Sequence, residues 1–109
     1  MTLSSAYTST APAEVRFDAT VTSAASYFYG THTHCTHEEF TAQSSAGPID
    51  VIDNVALAPR VPVRSGDRIE VQGEMVHDPG KMPIVHWTHR DPSGKHVDGF
   101  IRLRGRLYA

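Results

Sequence analysis

Seven histidines stand in this chain of 109 residues, and they are clustered. His32, His34 and His37 form one group, His86, His89 and His96 a second, and His77 lies between them. Imidazole gains or loses a proton near neutral pH, and its ring nitrogens also ligate transition metals. Two chemistries therefore compete. In the first, His37, His86, His89 and His96 hold a divalent transition metal, with zinc the best match to an imidazole-rich donor set. His-x-x-His places its rings on opposite faces of a regular strand, so a turn after Thr88 has to gather them. In the second, His86, His89 and His37 work as acid and base, Glu74 adds a carboxylate, and Arg60 stabilises negative charge. Asn54, Trp87, Thr88 and Asp91 are the expected ligand contacts. Phosphodiester cleavage is the reaction class these residue types suggest first.

Plainer readings stand beside these. Clustered polar groups mark a site only statistically, and each histidine has an ordinary structural use. Cys35, with His34 and His37 beside it to favour the thiolate, is a nucleophile by type, but a lone loop thiol is more often simply tolerated. A binding module is the main alternative to a metal-binding or hydrolytic protein. In it Tyr27, Phe28, Tyr29 and Trp87 stack on bases or sugars while Arg102, Arg104 and Arg106 meet phosphates. A net charge of -2 does not favour nucleic acid as a partner.

These residues need elements to position them, and the apolar pattern supplies strands. Val15, Phe17, Ala19 and Val21 alternate with polar residues, as do Phe40 and Ala42, Ile69 and Val71, and Ile101 and Leu103. Residues 27–36 read as a loop, residues 49–57 as a strand stopped by Pro59 and Pro62, and 84–88 as a strand. On that last strand Val85 and Trp87 are expected in the core, with His86 and Thr88 on the other face. Ser65-Gly66-Asp67, Asp78-Pro79-Gly80-Lys81 and Asp91-Pro92-Ser93-Gly94 are turns. Short strands without a helix of useful length predict an all-β fold, a small five-stranded OB-like barrel, with a small β-sandwich as the alternative.

Residues 1–13 are Ser-, Thr- and Ala-rich and read as a flexible arm, leaving 14–109 as a single barrel domain. One cysteine excludes an intramolecular disulfide framework. No apolar run is long enough to span a bilayer, and the N-terminus lacks the pattern of a signal peptide. The expectation is a protein of the cytoplasm, or a mature exported one.

From His37 to Tyr108 the chain resembles DUF3465, a bacterial family of unknown function. The matching words are His37-Glu38-Glu39-Phe40, Asn54 with Leu57-Ala58-Pro59-Arg60, Gly66-Asp67, Gly73-Glu74, and His86-Trp87-Thr88-His89 with Asp91-Pro92, His96 and Gly99-Phe100-Ile101. The resemblance implies a small, often exported bacterial protein and brings no activity with it. Here Asp53 stands where the family has His, Ala56 where it has Asp, and Met75-Val76-His77 where it has an acidic and aromatic stretch.

Overall fold

The computed structural model describes residues 2–109. One short helix, α1 (Leu3–Thr8), precedes eight strands: β1 (Ala13–Val21), β2 (Ser26–Gly30), β3 (Cys35–Ser44), β4 (Gly47–Asn54), β5 (Arg68–Val76), β6 (Ile84–His86), β7 (Phe100–Leu103) and β8 (Arg106–Tyr108). The fold is all-β. Around the sheet, β1 pairs β3, β3 pairs β4, β4 pairs β6, β6 pairs β5, and β5 returns to β1, so five strands close a ring. The β4–β6 seam is parallel and short, Asp50 opposite Ile84 and Val51 opposite Val85. The β1–β3 seam covers only Ala19–Val21 against Ala42–Ser44. Most of the ring's pairing lies in two long antiparallel pairs, β1 with β5 and β3 with β4. The architecture therefore lies between the five-stranded barrel and the small sandwich.

Alternation in sequence becomes alternation in space. Val15, Phe17, Ala19 and Val21 of β1, Phe40 and Ala42 of β3, Ile49 and Val51 of β4, and Ile69 and Val71 of β5 are all buried in one cluster. Of the alternating apolar residues and the pair Val85 and Trp87 expected in the core, Trp87 alone is exposed. Its neighbour Val85 is fully buried, but β6 ends at His86, and Trp87 takes a left-handed backbone (φ 54°) that turns it out of the strand register.

Two further expectations are corrected. Residues 27–36 are not all loop: β2 and the start of β3 form a hairpin, with Tyr27 opposite Glu38 and Phe28 opposite His37. The N-terminal arm is docked, Met1 lying outside the described residues. Thr2 caps α1 by accepting from the Ser5 amide, Ala6 is buried, and the Tyr7 hydroxyl donates to the Gly47 carbonyl at 2.8 Å. The apolar trio Leu3, Ala6 and Tyr7 has the spacing of one helix face, too short to register as periodicity but enough to seat one turn. Among the described residues no helix is long and apolar enough to cross a membrane.

Candidate functional site

The site is built on an interruption. Along β5, Gln72 pairs with Phe100 of β7 and Glu74 pairs with His86 of β6, so only Gly73 separates the two ladders. On the partner side the same interval is filled by residues 87–99, which leave the sheet and return. Glycine at both crossing points is a steric necessity: a Cβ on Gly73 would lie 2.5 Å from the His86 carbonyl oxygen, and one on Gly99 2.1 Å from that of Trp87. The Gly99 amide donates to the His89 carbonyl at 2.8 Å and closes the neck, which makes residues 87–99 a compact loop with adjoining ends.

Inside the loop, Asp91 does the folding. Its carboxylate accepts from the Ser93 hydroxyl and amide and from the amides of Lys95 and His96. Led by the Ser93 hydroxyl, these donors hold the Asp91 carboxyl well below the usual carboxylate range. Asp98 secures the exit by accepting from the Asp91 amide, while its own carbonyl accepts from Gln72 Nε2.

The loop and the ring enclose a cleft of about 550 Å³. His37, His86, His89 and His96 all line it, with Asn54, Trp87, Asp91 and Lys95, and Ile52, Leu57, Val76 and Ile84 supply its apolar surface. Hydrogen bonds fix each ring. His37 Nδ1 donates to the Cys35 carbonyl (3.1 Å), His89 Nδ1 to the Arg90 carbonyl (2.8 Å) and His96 Nδ1 to the Val97 carbonyl (2.9 Å). A carbonyl can only accept, so in the neutral rings of His37 and His89 the lone pair resides on Nε2. His86 is the reverse case, with Nε2 donating to Glu74 Oε1 at 3.0 Å and Nδ1 left as the basic nitrogen. Cross-strand register sets that pair, since Glu74 and His86 are opposite each other on the outward face. Glu14 stands opposite Glu74 on β1, where burial and then the facing Glu74 carboxylate raise its pKa.

The indole of Trp87 lies between two imidazoles, 4.7 Å from His86 and 4.5 Å from His96, with all three rings nearly parallel. Trp87, although 39% exposed, already has two imidazoles as stacking partners. The four imidazoles share a cleft but not a coordination sphere. Among the described residues no group of three or more His, Cys, Asp or Glu side chains is placed to hold an ion. Trp87 separates His86 from His96, and Glu74 occupies the His86 Nε2. This arrangement gives no support to the zinc expected from an imidazole-rich donor set.

A family model described as a protein of unknown function (DUF3465) matches residues 3–109. The chain belongs to this family. No curated protein and no solved structure matches it. In this DUF3465 chain three expected site residues lie outside the cleft lining: Glu74, which reaches it only through His86, Arg60 and Thr88. Arg60 is exposed, its guanidinium 4.5 Å from the centroid of the Tyr27 ring, outside the cleft lining. Thr88 is fully buried, and its hydroxyl donates to Asp53 Oδ1 at 2.9 Å beneath the loop. The arginines expected at phosphates are engaged as well: Arg102 bonds Glu70, Arg104 bonds Asp67, and Arg106 lies over Tyr108.

Sequence reasoning missed the residues underneath. Glu38 and Asp53 are both fully buried, opposite each other on β3 and β4, inside the ring. Their signal was a parity: Glu38 shares the inward phase of Phe40 and Ala42, and Asp53 that of Ile49 and Val51.

Proposed function

We propose that this DUF3465 protein hydrolyses phosphodiesters by acid–base catalysis in the histidine-lined cleft. The observation that carries the reading is the Glu74–His86 pair, a carboxylate holding an imidazole in the tautomer that leaves a basic nitrogen in a cleft shared with three more imidazoles, each fixed through Nδ1. The anionic substrate class follows from which polar atoms are committed. Glu74 and Asp91 already accept hydrogen bonds, and Asn54 Oδ1 accepts from the Ala56 amide. His37 Nε2, His86 Nδ1, His89 Nε2, the Asn54 amide nitrogen and the Lys95 ammonium face the substrate's charge.

His86 Nδ1 takes a proton from water as its oxygen bonds to phosphorus. The departing alcohol oxygen takes a proton from Nε2 of the His89 imidazolium, while Lys95 and Asn54 stabilise the added negative charge. A phosphomonoester and an alcohol result. Bis(p-nitrophenyl) phosphate, with and without EDTA, is the direct assay. Nitrophenolate release that survives chelation, with a bell-shaped pH profile, is expected, and His86→Ala lowers kcat/KM by about 100-fold or more without altering the far-UV spectrum. Absence of turnover by the native protein on this diester and on dinucleotides removes the hydrolytic reading. The exposed aromatics of β2, Tyr27, Phe28 and Tyr29, favour a binding module as the second reading, in which dinucleotides bind but remain intact.

A further inference from the structure

The cleft is unequal about the place of the phosphate. The groups assigned to its charge, on His86, His89, Asn54 and Lys95, share the lining with an apolar floor of Ile52, Val76 and Ile84. These three are half-buried and lie in the outward phase of β4, β5 and β6. Leu57 continues the floor to the rim. Its amide donates to the Asn54 carbonyl at 3.1 Å, which fixes the turn after β4, and its side chain is left 47% exposed. A single exposed leucine is ordinary, but one joined to an apolar floor inside a cleft makes a patch for an apolar part of a ligand.

The wall beside it is aromatic. Phe28, His37 and Asn54 form one cross-strand row over β2, β3 and β4, each opposite the next, so they share a face. Tyr27 and Tyr29 stand in the other phase, opposite Glu38 and Thr36, which leaves Phe28 as the exposed aromatic of β2 on the cleft's face. Its ring lies 5.2 Å from that of His37 and within 14° of parallel. His37 lines the cleft and Phe28 does not, so Phe28 backs the imidazole from outside. Glycine completes the seat. A Cβ on Gly30 would lie 2.9 Å from His37 Cε1, and the Nδ1 bond to the Cys35 carbonyl holds the same edge of the ring, which leaves Nε2 for the phosphate.

We infer that one arm of the diester is a nucleoside whose base stacks on the His37–Phe28 wall and covers Leu57, with the phosphate placed, as in the hydrolytic reading on which this rests, at His86, His89 and Lys95. Both halves of the surface are then used. A base offers a π face to parallel rings and apolar area to a leucine, whereas an alkyl arm would cover Leu57 and gain little from the rings. One strand spacing, roughly 5 Å, separates Asn54 at the phosphate from His37 at the base. A single nucleotide spans both. A cleft of about 550 Å³ suits one nucleoside and its phosphate and not a run of nucleic acid, and the net charge of -2 points the same way.

Two diesters with one leaving group separate the arm from the chemistry: thymidine 5′-(p-nitrophenyl phosphate) and methyl p-nitrophenyl phosphate, each assayed on the full chain. The nucleoside ester should show a kcat/KM about tenfold or more above the methyl ester. Leu57→Gln and Phe28→Ala should each cut that ratio by about threefold or more, chiefly through KM for the nucleoside ester. A ratio near one in the wild type, or one unchanged in either variant, overturns the inference and leaves hydrolysis standing. Hexyl p-nitrophenyl phosphate turned over as well as the thymidine ester assigns the wall to an aliphatic arm and also overturns it. If neither ester is hydrolysed, calorimetry with thymidine 5′-monophosphate decides. Binding that Leu57→Gln weakens by about threefold or more keeps the base site and refutes hydrolysis alone, whereas absence of binding removes both.

Discussion

On one side of Trp87 Glu74 meets His86, and on the other Asp91 meets His96; the residue types are the same and the work is different. Glu74 Oε1 lies 3.0 Å from the imidazole, and that ring is its side-chain partner. Asp91 lies 3.6 Å from His96 Nε2, beyond good hydrogen-bond length, and its oxygens are taken by the Ser93 hydroxyl and by main-chain amides of its own loop. Glu74 comes from a continuous strand and fixes a tautomer across a ladder, whereas Asp91 organises a loop that has no ladder of its own. A carboxylate–imidazole pair is thus a catalytic candidate only once its other hydrogen bonds are counted.

The largest test of this difference is functional. Removing the imidazole in His86→Ala should abolish diester hydrolysis, as argued above, because the base itself is gone. Next comes Asp91→Asn, where the carboxamide cannot accept from as many donors with charge assistance. Its expected signature is structural: amide protection collapses across residues 93–98 while the ring strands keep theirs, read by hydrogen exchange. Hydrolysis falling with unchanged loop protection would make Asp91 the chemical partner after all. Glu74→Gln is milder, since Gln still accepts from His86 Nε2 but carries no charge to stabilise the imidazolium. About a tenfold loss in kcat with little change in thermal midpoint is expected.

The sequence carried the ring and the membership of the cleft but not the roles inside it. Strand periodicity located β1, β3, β5 and β7 because half-buried strands print their burial into alternating residues. The four histidines and Asn54 do line one cleft. What escaped depends on geometry that spacing cannot encode. Residues 87–99 replace a single position of a strand, so the expected alternation through Thr88 fails at Trp87, and the core expectation fails with it. Arg60 was a reasonable oxyanion partner by type, yet the Tyr27 ring holds it outside the cleft. Glu38 and Asp53 lay in the inward phase of their strands and were passed over because carboxylates are rarely fully buried.

His96→Phe sharpens the comparison with the smallest expected effect. Phenylalanine is flat and can keep a ring against the outer face of Trp87, where His96 now stacks at 4.5 Å. It discards the Nδ1 bond to Val97 and the long contact with Asp91, neither of which holds His86. If the two flanking pairs differ as their partners indicate, kcat should stay within about threefold of wild type, well short of the 100-fold or more assigned to loss of a general base. The loop should also keep its protection, because the His96 main-chain amide still donates to Asp91. An inactive His96→Phe protein with an intact loop would place His96 in the chemistry and make the two pairs equivalent, leaving Trp87 as a spacer between two working imidazoles.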